Sequence, residues 1–556
     1  MYGTILAAAQ ALDPNRSWSA GRARAWQAFA AWPPDVFALT SVLIEETGLH
    51  RFAASPAPGK QWPPVDDWYD QLEALADLWQ GWARLDWPIG DPCPSAVAKL
   101  VQSFEPLLGT ALHDLARGSD WQAVGAVLTL HHAADQACAG LAIYPQTSAY
   151  DRQANHLLKW TGSLARLPTD MVRVLPKFRT PQVGITPRSL SLHAAIDRSG
   201  LDVECLLEPD ICDRRLERFN LLLLPWPLEV RPTAFHPVER PGQALAARVS
   251  NSRFFEFEPH ARLPLAELKE AIRASQERIG PVHAVVLPEN AVHEDELEGV
   301  YACLSELGVG VLLAGVRAHD RNFARLAVAK KQGRWHGYDQ DKHHRWCLDE
   351  EQIRSYHLGA ALHPAYRWWE SIALSERCAN LLIANGWLTI CHLICEDLAR
   401  AGPGADLVRA IGPSLVVALL LDGPQLAARW PGRYASVLAD DPGSSVLTLT
   451  ALGMAERSRP SGTAPSRTVA LWKDPRTGAR ELELAPGATG LFLSLCVNWT
   501  EEFTADGRSD RRSAAQLVFG GVEQVRVTAP ATVRRKVSTG PRKRVRKRAG
   551  AGKERS

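Results

Sequence analysis

Three residues set the chemistry that this chain could perform: Glu289, Lys342 and Cys395. Cys395 ends the apolar run Leu388 to Ile394 and precedes Glu396, Asp397 and a helix-like stretch. A thiol between a buried strand and a helix N-terminus sits where thiolates are favoured. Glu289 ends the apolar run Val285-Val-Leu-Pro-Glu289, and Lys342 stands in the polar stretch Asp341-Lys-His-His-Arg-Trp346. Hydrolysis of an unactivated amide or nitrile needs a nucleophile for the carbon and a base that takes its proton and later passes it to the leaving nitrogen. It also needs a cation for the charge that develops on the substrate. Cysteine is suited to the first task, a glutamate raised by burial to the second, and a lysine ammonium to the third. The backbone N–H after Cys395 offers a second oxyanion donor.

Glu, Lys and Cys in that order, each beside a strand-like run, resemble the nitrilase (carbon–nitrogen hydrolase) superfamily. Its members carry a strand ending in Pro-Glu, here Leu287-Pro288-Glu289, and a lysine in a polar loop, here Gln340-Asp341-Lys342-His343-His344. Leu393-Ile394-Cys395-Glu396-Asp397-Leu398 looks most like the glutaminase-type members. The resemblance spans residues 190 to 520 and implies an α/β fold, an α-β-β-α sandwich. It further implies a cysteine acyl-enzyme, no metal or organic cofactor, a small-molecule amide or nitrile substrate, and a homo-oligomer. Such proteins often carry a second glutamate after the lysine that orients substrate, and Glu350 and Glu351 are the candidates here. The Asn-containing turn of the family is missing where Arg433 to Asp440 stands. No Ser-Gly-Gly phosphate loop follows, so the resemblance to glutamine-dependent NAD synthetase stops at its glutaminase half.

Other readings of the same residues exist. Cys395 could be a buried core thiol, and Glu289 could cap the next helix. Lys330 and Lys331 compete with Lys342 but lie in a solvated turn. His336, His343, His344, His357 and His363 form no recognisable metal-ligand spacing; His343 or His344 packs near the site on this reading. Glu396 and Asp397, in a first helical turn, favour the helix dipole and oppose a thiolate that Lys342 must support.

The elements that must position these residues form two textures. Residues 1–183 read as a helical domain, with apolar residues three and four apart in Ala25 to Ala31, Trp68 to Trp79, Leu107 to Ala116 and Val124 to Leu141. Its tryptophans, at helical spacing, read as core. After the Pro/Gly break at Arg179 to Pro187, short apolar runs alternate with helix-like stretches over 188–525, the pattern of a layered α/β domain. Residues 526–556 lose apolar content and read as a disordered basic tail.

Composition is that of a soluble globular protein, 46% hydrophobic and 22% charged. The ten cysteines include no C-x-x-C pair, which argues against a zinc knuckle or disulfide scaffold and for a reducing cytoplasm. The N-terminus lacks a basic leader and reads as a first helix, and no uncharged run is long enough to span a membrane. Residues 531–556 hold eleven Lys or Arg and one Glu, +10, so the net charge of +2 leaves −8 on the rest. Arg542, Lys543, Arg544, Arg546, Lys547 and Arg548 are candidates for binding nucleic acid or an acidic partner. The alternative function is therefore a bacterial defence or signalling protein, like the nitrilase-like proteins that accompany some reverse transcriptases. In it the central domain is sensor or effector and the tail binds nucleic acid.

Overall fold

The structure is a computed structural model that describes residues 3–13, 16–19, 21–85, 93–140, 173–208, 211, 216–239, 251–330, 333–375, 377–384, 387–459 and 462–527. The basic residues 542–548 lie outside the described residues, as does all but the start of the tail. The first part of the chain is helical. The helix Pro33–Thr47 starts on two prolines, which lack the N–H that a first turn leaves unpaired, and stops at Gly48 with φ 68°. It is buried almost all round, as a central helix must be. Helix Trp121–Ala137, capped by the Asp120 carboxylate on Ala123 N–H, packs along it. Trp26, Trp32 and Trp79 are fully buried in this region, so these tryptophans are core. No described helix is long and apolar enough to cross a membrane.

The α/β part is built on two seven-stranded sheets. The first runs Trp335–Asp341, Arg321–Ala329, Val311–Ala318, Ala284–His293, Arg218–Leu223, Gly490–Phe503, Ser509–Val525. The second runs Arg480–Glu483, Thr468–Lys473, Ser445–Thr450, Leu415–Leu420, Leu388–Ile394, Cys378–Ala384, Asp202–Glu208. Alternation along the strands divides the first sheet's two faces. Leu221, Leu223, Ala284, Val286, Leu313 and Leu326 join Leu381, Ile390, Val416 and Leu447 of the second sheet in one core. Leu222, Val285, Leu287 and Leu312 face the other way, onto helices Leu265–Arg278 and Leu297–Glu306. Helix Trp430–Asp440 packs on the second sheet at Ser445–Thr450. A smaller sheet, Cys347–Leu348, Arg367–Glu370, Ser252–Phe257 and Phe235–Val238, stands apart from both.

The 183/188 division falls inside a hairpin, because Arg173–Pro176 pairs antiparallel with Ala194–Asp197. The Pro/Gly break between them is no loose linker. Arg179 and Thr180 are buried, and Glu502 accepts from both Arg179 Nη2 (3.1 Å) and Thr180 N–H (2.9 Å). The hairpin of the two last strands reaches the helical region at its tip. Asp506 Oδ2 accepts from Trp62 Nε1 (2.9 Å) and pairs with His132 Nε2 (2.7 Å), while Arg508 pairs with the buried Asp135. Asp135 also accepts the backbone N–H groups of Leu192, His193 and Ala194.

Candidate functional site

Glu289 does not sit in a regular ladder. Leu287 pairs with Ala314 and Val292 with Val316, so residues 288 to 291 all oppose Gly315. Pro288 has no N–H to give to a central ladder and occurs where the ladder breaks. The bulge lies directly on Gly315, where an added Cβ would come within 2.3 Å of Glu289 Cα and 2.4 Å of the Pro288 oxygen. Asn290 takes φ 56°, and its carbonyl accepts from Arg317 Nη1 at 3.0 Å. The side chain of Glu289 is thereby thrown out of the ladder and into the protein interior, 1% exposed.

Lys342 follows the edge strand Trp335–Asp341 and is 1% exposed. Its Nζ donates to Glu289 Oε1 (2.7 Å) and to Glu370 Oε2 (2.6 Å). Asn322 Nδ2 donates to both carboxylates as well, Glu289 Oε1 and Glu370 Oε1, at 2.7 Å each. The Trp346 N–H adds a 3.1 Å bond to Glu370 Oε2. Lysine, asparagine and two glutamates thus form one buried network. Lys330, by contrast, is partly exposed and pairs with Glu208, away from this network.

Cys395 has φ 44° and ψ −109°, a left-handed conformation that a non-glycine residue rarely holds. It is fixed by a bond from its N–H to the Leu419 carbonyl (2.9 Å) and from Leu398 N–H to its own carbonyl (3.0 Å). The lysine loop is tied to the same turn. Asp397, fully buried, accepts from His343 N–H (3.1 Å) and pairs with His344 Nδ1 (2.8 Å). Gln340, also fully buried, joins the sheets by donating to the His392 carbonyl (3.0 Å) and accepting from Asn380 N–H (3.0 Å).

Burial dominates the electrostatics. It raises the Glu289 carboxyl, against Lys342 and with the help of Glu370. Burial alone would lower Lys342, but Glu289 and Glu370 hold it well above the ordinary lysine value, as an ammonium. Burial and then Glu289 push the Cys395 thiol well above its usual value, and Lys342 only partly opposes them. The balance of burial and charge thus favours the thiol, where the sequence pointed to a thiolate supported by the lysine. The charges that act on it are Glu289, Lys342 and Asp422. Glu396 pairs with Arg400, and Asp397 with the histidine loop.

Of the expected residues, Glu289, Lys342 and Cys395 come together. Glu350 and Glu351 do not join them: they are exposed in the first turn of the short helix Glu350–Ser355, where Glu350 pairs with Arg354. The second glutamate on the lysine is instead Glu370, which ends a strand of the small sheet. Asn322 was likewise not foreseen. A cavity of 410 Å³ adjoins the network and is lined by Asn322, Glu370, Asn290 and Arg317 but by none of Glu289, Lys342 and Cys395.

No family model matches the chain, and no curated protein matches it. Among solved structures it is similar to Nit3 of Saccharomyces cerevisiae, a member of branch 10 of the nitrilase superfamily, at 11% identity over 48% of this chain and 88% of that one, with a TM-score of 0.29. It is similar to a CN-hydrolase superfamily protein of Xanthomonas campestris that carries an arsenic adduct in its active site, at 13% identity over 56% and 91%, TM-score 0.25. The C. elegans NitFhit protein is similar at 11% identity over 47% and 56%, TM-score 0.29.

Proposed function

We propose that the chain is a carbon–nitrogen hydrolase that cleaves a non-peptide amide or nitrile through an acyl-enzyme on Cys395. The observation that carries this reading is the division of labour on Glu289. Its Oε1 is taken by Lys342 and Asn322, while its buried Oε2 accepts no hydrogen bond in the described structure. A carboxylate held by one oxygen, beside a thiol whose charge it affects, has the other free for a proton.

For an amide the steps are as follows. Glu289 Oε2 takes the Cys395 proton as sulfur attacks the carbonyl carbon. Lys342 and the backbone N–H after Cys395 meet the charge on the oxygen. The C–N bond breaks, Glu289 passes its proton to nitrogen, and the amine or ammonia leaves a thioester. Water, deprotonated by Glu289, attacks the thioester; the acid departs and the proton returns to sulfur. Glu370 and Asn322 hold the lysine and the base in place.

The test is the alkylation rate of every cysteine near neutral pH, by peptide mapping, with Glu289→Ala and Lys342→Ala alongside. Cys395 is expected to react faster than the other cysteines despite its raised thiol, because Glu289 takes the proton as sulfur reacts, and to slow both without that base and without the Lys342 charge that favours the thiolate, after which a screen of amides and nitriles is expected to find turnover. A Cys395 no more reactive than its neighbours sinks the reading.

A further inference from the structure

We infer that Asp422 is a substrate-binding residue that takes a protonated amine, so that the amide cleaved at Cys395 carries a cationic nitrogen group. The inference rests on the hydrolase reading of Cys395. Asp422 lies just past the strand Leu415–Leu420, which runs parallel to the cysteine strand. The Cys395 N–H bonds the Leu419 carbonyl of that strand at 2.9 Å, three residues before Asp422, and the Asp422 charge is among those that raise the thiol.

The side chain of Asp422 is half used. Oδ1 accepts from the Tyr356 hydroxyl and from Arg429 Nη2 (3.1 Å). Oδ2, equally buried, accepts from no described residue. A buried carboxylate oxygen without a donor is costly, and a substrate N–H beside the sulfur supplies one. Charge selects which donor. Three carboxyl groups, Glu289, Glu370 and Asp422, are set among two cations, Lys342 and Arg429. A positive group evens that balance and a negative one meets repulsion. Aromatic rings link the two ends. The backbone N–H of Trp346 bonds Glu370, and the Trp346 ring meets Tyr356 edge-on, ring centroids 5.8 Å apart.

The experiment uses the full chain and three alkylating reagents of different charge: 2-bromoethylammonium, iodoacetamide and iodoacetate. Each rate at Cys395 is divided by that reagent's rate with 2-mercaptoethanol. The normalised rates are expected to rank cation, neutral, anion. Asp422→Asn is expected to lower the cation-to-anion ratio roughly tenfold, and Asp422→Glu to keep most of it. Equal normalised rates in the wild type, or a ratio that Asp422→Asn does not move, overturn the inference and leave the nucleophile standing. A Cys395 that no reagent prefers over the other cysteines overturns the hydrolase reading, and this inference with it. If the Asn variant does not fold, the wild-type ranking decides.

Discussion

At the scale of residues, the site is a proton device whose parts are all buried. Glu289 must be ionised to take the thiol proton, and burial and Glu370 raise it. Activity is therefore expected to climb with pH through a value above the ordinary glutamate range. Removing the charge of Glu370 leaves Lys342 to Glu289 alone, so Glu370→Gln is expected to move that limb of the kcat/KM profile to lower pH; an unmoved limb would show that another group sets it. Glu289→Gln is expected to cost roughly 10²–10⁴-fold in turnover, the usual worth of a general base. The sequence revealed part of this. Pro288 with Glu289, and Cys395 at the end of an apolar run, are legible because each stands at a local break in pattern. Glu370 is not, since it comes from Arg367–Glu370, a four-residue strand that meets the lysine only through the small sheet. An acid at the end of a Trp-Trp strand was the one local signal it offered.

At the scale of elements, the site depends on a bulge and a tie. The bulge over Gly315 leaves no room for a methyl group, and the atoms in the way are backbone. Gly315→Ala is expected to cost about 1–3 kcal/mol as overpacking and to displace Glu289, so that thermal stability and turnover fall together. The tie is Asp397, which holds the lysine loop to the cysteine turn. Asp397→Asn keeps the shape but forfeits a charge-assisted contact with His344. A loss of about 1–3 kcal/mol is expected, together with slower alkylation of Cys395; unchanged alkylation would show that the loop holds Lys342 without it. The sheets were legible from apolar runs, because buried strands must be apolar on both faces. The bulge and the tie were not, since they are made by residues opposite one another across space, such as Gly315 against Glu289.

At the scale of the molecule, the helical region and the last hairpin are joined by buried ionic contacts. Burial alone would raise Asp506 and Asp135, but His132 and Arg508 respectively outweigh it and hold each well below the ordinary carboxylate range. Depressed carboxylates add stability that is present above their unfolded values and is lost as pH falls towards the folded ones. The junction is therefore expected to fail in acid. Asp506→Asn is expected to remove part of that pH dependence in acid unfolding followed by near-ultraviolet circular dichroism; a curve of wild-type shape would place the acid sensitivity elsewhere. The same junction has a consequence for synthesis. His132 meets Asp506 across 374 residues of chain, and a ribosome adds about 5–20 residues per second. The helices emerge first, yet wait roughly 20–75 s for the side chains that complete their polar contacts. The helical region is thus synthesised well before the residues that complete it, and His132 and Asp135 wait through that interval for Asp506 and Arg508.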